Sequence, residues 1–195
     1  MKNVQRKYFL CAAMLLAFGA TGFAIPRVLA KSAAPQSQAS PGPEMERLIK
    51  FYRGTWDYRE IYAKSPQMPN GGENTGVYTS ELGPGGNSIV NRFHSKGPVG
   101  DFQGLLVMTW DPREKAYKMY LFSGDAPGAI VETGQFEGDA LIYRTTLTMG
   151  NQTISIRNET RVDAKGVLTG DQFFISGAPT GKETPFVHVI ATRRP

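Results

Sequence analysis

The chain is predicted to be all-β: a single antiparallel meander closed into a barrel of about eight to ten strands, preceded by one short helix. Three observations carry this. Downstream of Gly54, apolar and polar residues alternate with a period of two almost to the C-terminus. Turn-forming residues recur between the alternating runs, at Gly83-Pro84-Gly85-Gly86, Asp111-Pro112, Glu137-Gly138-Asp139, Gly150-Asn151 and Asp163-Ala164-Lys165-Gly166. Finally, most gaps between runs are short, as antiparallel neighbours allow, and none reads as the helix of a parallel crossover. A meander of short strands has two exposed edges unless the sheet closes, and closure removes both. A β-sandwich is the structural alternative.

Residues 1–30 read as an export signal. Lys2, Arg6 and Lys7 form a basic start, Tyr8 to Ala24 is an apolar run, and Val28-Leu29-Ala30 offers a cleavage site. Arg6-Lys7-Tyr8-Phe9-Leu10 also resembles the twin-arginine export motif, with lysine in the second basic position; an ordinary secretory signal is the simpler assignment. The expected location is periplasmic or secreted, with no stable membrane insertion once the signal is removed. Cys11, the one cysteine, lies in this run, so the expected mature chain has neither disulfide nor thiolate metal site.

Removing the signal changes the charge. Of 22 basic residues, Lys2, Arg6, Lys7 and Arg27 leave with it, and the remaining 18 face 17 acids. A near-neutral domain has no basic footprint for nucleic acid. About 165 residues then suffice for one core. Residues 31–43, rich in Ala, Ser, Gln and Pro, are expected to form a flexible linker, with the barrel domain spanning 44–195.

The helix is expected from Glu44, because Met45, Leu48, Ile49 and Tyr52 share one helical face and Glu44 and Glu46 suit its first turn. Gly54 ends it. The first strand carries Trp56, Tyr58 and Tyr62. Nine more are expected near 75–82, 88–94, 102–110, 116–122, 129–136, 140–147, 153–162, 167–175 and 186–193. In the eighth strand Ile154, Ile156 and Val162 share one face and Arg157, Glu159 and Arg161 the other, so that strand is half solvated. Leu105 to Met108 and Val187 to Ile190 are apolar on both faces, and parity alone does not choose their inner side.

The helix followed by Gly54-Thr55-Trp56 resembles the opening of calycins such as lipocalins, in which the tryptophan plugs the barrel floor. Pro69-Asn70-Gly71-Gly72, Gly104 leading to Trp110-Asp111-Pro112, Tyr117 and the closing Val189-Ile190-Ala191-Thr192-Arg193 extend the pattern. Together they resemble the bacterial domain-of-unknown-function family 1579 from Glu44 onwards. That resemblance implies a calycin-like barrel and transfers no catalytic residues.

The function expected is binding of a small hydrophobic or amphipathic molecule in the lumen, without catalysis. Trp56, Tyr58, Phe93, Trp110, Tyr120 and His188 are the expected lining or floor. No nucleophile elbow, histidine metal motif or phosphate loop is present, so no catalytic residue, metal site or obligate cofactor is expected. One alternative is a haem barrel. His188 lies in a terminal strand that resembles the one bearing the iron-ligating histidine of nitrobindin-like barrels, which implies an axial role for it. Another is a small enzyme acting on a lipid or carbonyl compound. It would need two converging titratable groups, and Glu60, Glu81, Glu132, Glu159 and Asp171 are the strand carboxylates available, most of them read as solvated.

Overall fold

The computed structural model describes residues 41–65, 68–124, 127–149, 152–176 and 181–195. The expected signal segment, nearly all of the expected linker and the Gly150-Asn151 turn lie outside them. A helix, α1 (Pro43–Tyr52), is followed by ten strands: β1 (Gly54–Tyr62), β2 (Gly72–Leu82), β3 (Ser88–Gly97), β4 (Gly100–Asp111), β5 (Ala116–Ser123), β6 (Ile130–Glu137), β7 (Ala140–Met149), β8 (Gln152–Val162), β9 (Val167–Ser176) and β10 (Lys182–Arg193). Each strand pairs antiparallel with its sequence neighbours, and β1 pairs with β10 to close the barrel. The expected all-β closed meander is the observed fold. Among the described residues, no helix is long and apolar enough to cross a membrane.

The helix starts at Pro43, inside the stretch expected to be linker. Proline suits that first position, where its missing N–H has no helical partner to lose. At the other end, Arg53 is the cap, and Gly54 already belongs to β1 with φ +121°. That angle is one L side chains rarely adopt, so glycine suits the sharp turn from helix into strand.

α1 plugs one end of the barrel. Its Met45 and Leu48 are buried against Ile89, Met108, Tyr117, Leu141 and Tyr143. Phe51 and Tyr52 join this cluster to a second one built on Trp56, Tyr58, Tyr78, Leu168 and Ala191. Polar contacts fix the plug. Tyr117 donates to the Glu44 carbonyl at 3.0 Å, Trp56 Nε1 donates to the Tyr52 carbonyl at 2.9 Å, and Arg193 donates to the carbonyls of Lys50 and Phe51. The Arg193 contacts supply partners and positive charge where the last helical carbonyls have neither. At the far end, Tyr62 and Phe174 each pack against Phe186, and Tyr62 also reaches Phe102, forming an aromatic rim.

Candidate functional site

Between the helical plug and the aromatic rim the barrel encloses a cavity of about 320 Å³. This lies at the lower end of the ~300–1,000 Å³ typical of small-molecule sites. Leu106, Met119, Leu121, Leu168, Val187 and Val189 supply apolar wall, and Tyr52, Tyr58, Tyr62, Tyr78, Phe93 and Tyr143 supply rings. Side chains in a strand alternate between faces, so one residue in two of each strand looks inward. In β1 the inward set is Trp56, Tyr58, Glu60 and Tyr62, which brings a carboxylate in with three aromatic rings.

Three of the rings lie on glycine. Phe93 pairs with Gly104 of β4, where an added Cβ would stand 2.6 Å from its Cζ. Tyr143 pairs with Gly134 of β6, where an added Cβ would stand 2.5 Å from the ring and 2.6 Å from the Ile142 carbonyl oxygen. Tyr58 pairs with Gly76 of β2, where a Cβ would stand 2.3 Å from the His94 carbonyl oxygen and 2.8 Å from the ring. The missing side chains let the rings lie flat over neighbouring backbone, leaving the centre of the lumen clear.

The polar groups of the lumen fall into two sets. Glu132 is 4% exposed and accepts a hydrogen bond from Asn158 Nδ2 at 2.6 Å, while Asn158 Oδ1 accepts from Gln172 Nε2 at 2.8 Å. This directed chain of amides ends on the carboxylate. Glu60 Oε2 accepts from Ser95 at 2.7 Å and from Tyr62 at 3.2 Å. Burial pushes the Glu132 carboxyl above its ordinary range, partly offset by the Asn158 bond. Burial likewise pushes the Tyr52 and Tyr58 hydroxyls up to about 12, and raises those of Tyr62, Tyr78 and Tyr143. The tyrosines therefore enter the site as neutral hydroxyls.

Among the described residues, four buried polar side-chain atoms have no hydrogen-bond partner: the hydroxyls of Tyr58, Tyr78 and Tyr143, and Asn91 Oδ1. All four residues line the cavity. Ser95, close to Tyr58, donates to Glu60 instead, and Asn91 uses its Nδ2 on Ser80 at 2.9 Å. Buried polar groups are satisfied in the great majority of cases, so four exceptions around one cavity mark it as something other than packed core.

The sequence-predicted site residues divide. Tyr58 and Phe93 line the cavity. Trp56 is fully buried beneath α1, stacked on Tyr78 at 5.7 Å with the Arg193 guanidinium 4.5 Å from its ring, and closes the floor without bordering the cavity. Trp110 packs edge-on against Tyr117 at 4.9 Å in the cluster below the helix. Tyr120 does not line the cavity: it shares the outer face of β5 with Lys118 and with Phe122, which is 43% exposed.

His188 is also outside. Val187 and Val189 turn into the lumen, so His188 points away, its Nδ1 2.7 Å from Asp171 Oδ1 and both side chains 41% exposed. His94 lies outside as well, 2.7 Å from Asp101. The lumen offers no imidazole, so the residues present do not fit a haem held in the cavity by His188. Among the described residues, no group of His, Cys, Asp and Glu has the makings of a metal site.

The expectation that the strand carboxylates are mostly solvated needs correction for two of them. Glu60 and Glu132 line the lumen, whereas Glu159 and Asp171, which also border it, pair their carboxylates with Arg157 and Arg161 and with His188 on the outer face. The polar lining residues that sequence reasoning missed include Tyr78, Asn91, Asn158 and Gln172. Strand parity held the signal: Glu60 is in step with Trp56, Tyr58 and Tyr62, and Glu132 with Ile130 and Phe136.

Fold and site together define a ten-stranded antiparallel barrel, plugged by a helix, with a tyrosine- and carboxylate-lined lumen. No family model matches the chain, and no curated protein matches it. Among solved structures, it resembles the one described as "Crystal Structure of Rv2717c from M. tuberculosis", with a TM-score of 0.57 and 12% identity over 80% of this chain and 100% of that one. At that identity the likeness concerns the fold alone.

Proposed function

We propose that this protein is a non-catalytic binding module of the exported compartment that takes a small amphipathic molecule into its lumen. One observation carries the reading: the unpartnered Tyr58, Tyr78, Tyr143 and Asn91 polar atoms surround a cavity of about 320 Å³ whose remaining wall is apolar apart from the Glu60 and Glu132–Asn158–Gln172 groups. An apolar wall favours an apolar body, at roughly 25 cal/mol per Å² removed from water. Polar atoms that the protein leaves unmatched favour a ligand that completes their hydrogen bonds. A barrel whose interior served only as core would gain by exchanging these tyrosines for phenylalanine.

The test uses N-phenyl-1-naphthylamine, a largely apolar probe whose fluorescence rises on leaving water. The wild-type protein should bind it saturably. Val189→Trp, which fills the lumen from β10, should abolish binding while keeping the β-type circular dichroism. Saturable binding that persists in Val189→Trp would place the probe elsewhere and refute the reading, as would no binding at all.

A further inference from the structure

We infer that the lumen selects a protonated organic amine, with Glu132 as its counter-ion and the tyrosine rings around its ammonium group; this rests on the lumen-binding reading above. The charge of the wall points first. Glu60 and Glu132 turn carboxylates into the cavity, and among the described residues no lysine, arginine or histidine lines it. Glu159 and Asp171 border it through their strands, but their carboxylates are engaged outside by Arg157, Arg161 and His188. The lumen therefore holds negative charge without a protein cation to balance it. An anionic ligand such as a fatty acid would meet repulsion in a medium of low dielectric.

The two carboxylates are not equivalent. Glu60 already accepts from both Ser95 and Tyr62. Glu132 accepts one hydrogen bond, from Asn158, and is the more deeply buried. Asn158 is itself held by Gln172, which fixes its amide with the donor facing Glu132. The chain thus presents Glu132 as an acceptor with capacity left, in a place where an unbalanced carboxylate is costly. An ammonium group supplies both the charge and the donors.

The rings fit the same class. Tyr58 and Tyr78 lie 5.6 Å apart and tilted, and both line the cavity along with Tyr143 and Tyr52. Aromatic faces attract an ammonium group, more strongly when it is desolvated. The unpartnered hydroxyls of Tyr58, Tyr78 and Tyr143 and the Asn91 Oδ1 are acceptors for its N–H groups. Leu106, Met119 and Leu121 remain for an alkyl or aryl body.

The decisive comparison is a matched pair, 4-phenylbutylamine and 4-phenyl-1-butanol, titrated calorimetrically into the full-length mature protein at neutral pH. The amine should bind at least about tenfold more tightly than the alcohol, and Glu132→Gln should reduce that preference to about twofold or less. Equal affinities, or tighter binding of the alcohol, would overturn the inference on the wild-type protein alone, whatever the variant does. A preference that survives in folded Glu132→Gln would also overturn it. If N-phenyl-1-naphthylamine enters the lumen while the amine shows no advantage, only the charge assignment fails. If the lumen takes neither probe nor amine, the binding reading fails with it.

Discussion

Replacing Gly134 by alanine puts a methyl group where the lumen already has a ring. The new Cβ would stand 2.5 Å from Tyr143 Cδ1, 2.9 Å from Cε1 and 2.6 Å from the Ile142 carbonyl oxygen. Ordinary van der Waals contact begins near 3.4 Å, so the ring must move by about 1 Å. Tyr143 is 2% exposed and wedged among Leu48, Met108 and Leu141, which leaves the cavity as the direction of escape. The carbonyl contact is with backbone and is not relieved by turning the ring. Overpacking of this kind costs about 1–3 kcal/mol, and the backbone clash places it in the upper half. Gly134 has no positive φ, so alanine suffers no dihedral strain, and the stiffer unfolded chain returns ~0.4–1 kcal/mol. The net loss expected is ~1–2.5 kcal/mol, or a Tm lower by roughly 2–10 °C for a domain of this size.

Urea denaturation and scanning calorimetry of Gly134→Ala measure this directly. The same substitution in a Tyr143→Ala background should be less costly by at least ~1 kcal/mol, because the ring it strikes is gone. Unchanged or increased stability in Gly134→Ala, or additivity of the two changes, would refute the idea that glycine seats the tyrosine.

Three further outcomes follow from the same geometry. Burial holds the Glu132 carboxyl above its ordinary range, so the stability it contributes is complete at acid pH and lost as pH rises through its folded-state titration. Glu132→Gln should therefore gain on wild type in denaturant titrations as pH rises from the acid side of the ordinary carboxylate range; a pH-independent difference contradicts this. Leu48→Ala, at a fully buried position of the helical plug, should cost ~2–5 kcal/mol by urea denaturation, and a loss below ~1 kcal/mol would mean the helix is not docked as described. His188→Ala should cost no more than ~1 kcal/mol, its pair with Asp171 being two-fifths exposed, and should leave lumen affinities within about twofold. A large loss of probe binding in that variant would return His188 to the site.

The fold was legible because its signals are local. A period of two and glycine- and aspartate-bearing turns such as Glu137-Gly138-Asp139 specify hairpins, and a chain of hairpins closes to remove its edges. The site was less legible because inward and outward faces must be told apart strand by strand. In β5, Lys118 marks the outer face and takes Tyr120 with it, so alternation alone places that tyrosine outside. In β10 alternation misleads. Phe186 borders the cavity, and an unbroken strand would then turn His188 inward. The register instead shifts between Pro185 and Val187, and Val187 and Val189 take the inner face. Proline cannot donate to the ladder, so it is found where the ladder is interrupted. Glu132 is read from the sequence as solvated because a glutamate in a half-buried strand ordinarily is; its partners Asn158 and Gln172 come from strands remote in sequence.

Native mass spectrometry of the protein, purified gently from the cells that make it, addresses the lumen most directly. A non-covalent adduct of one small basic molecule per chain, absent from Val189→Trp prepared alongside, is the expected spectrum. An adduct retained by the filled-lumen variant, or bare protein in every preparation, would contradict a barrel that carries its ligand inside.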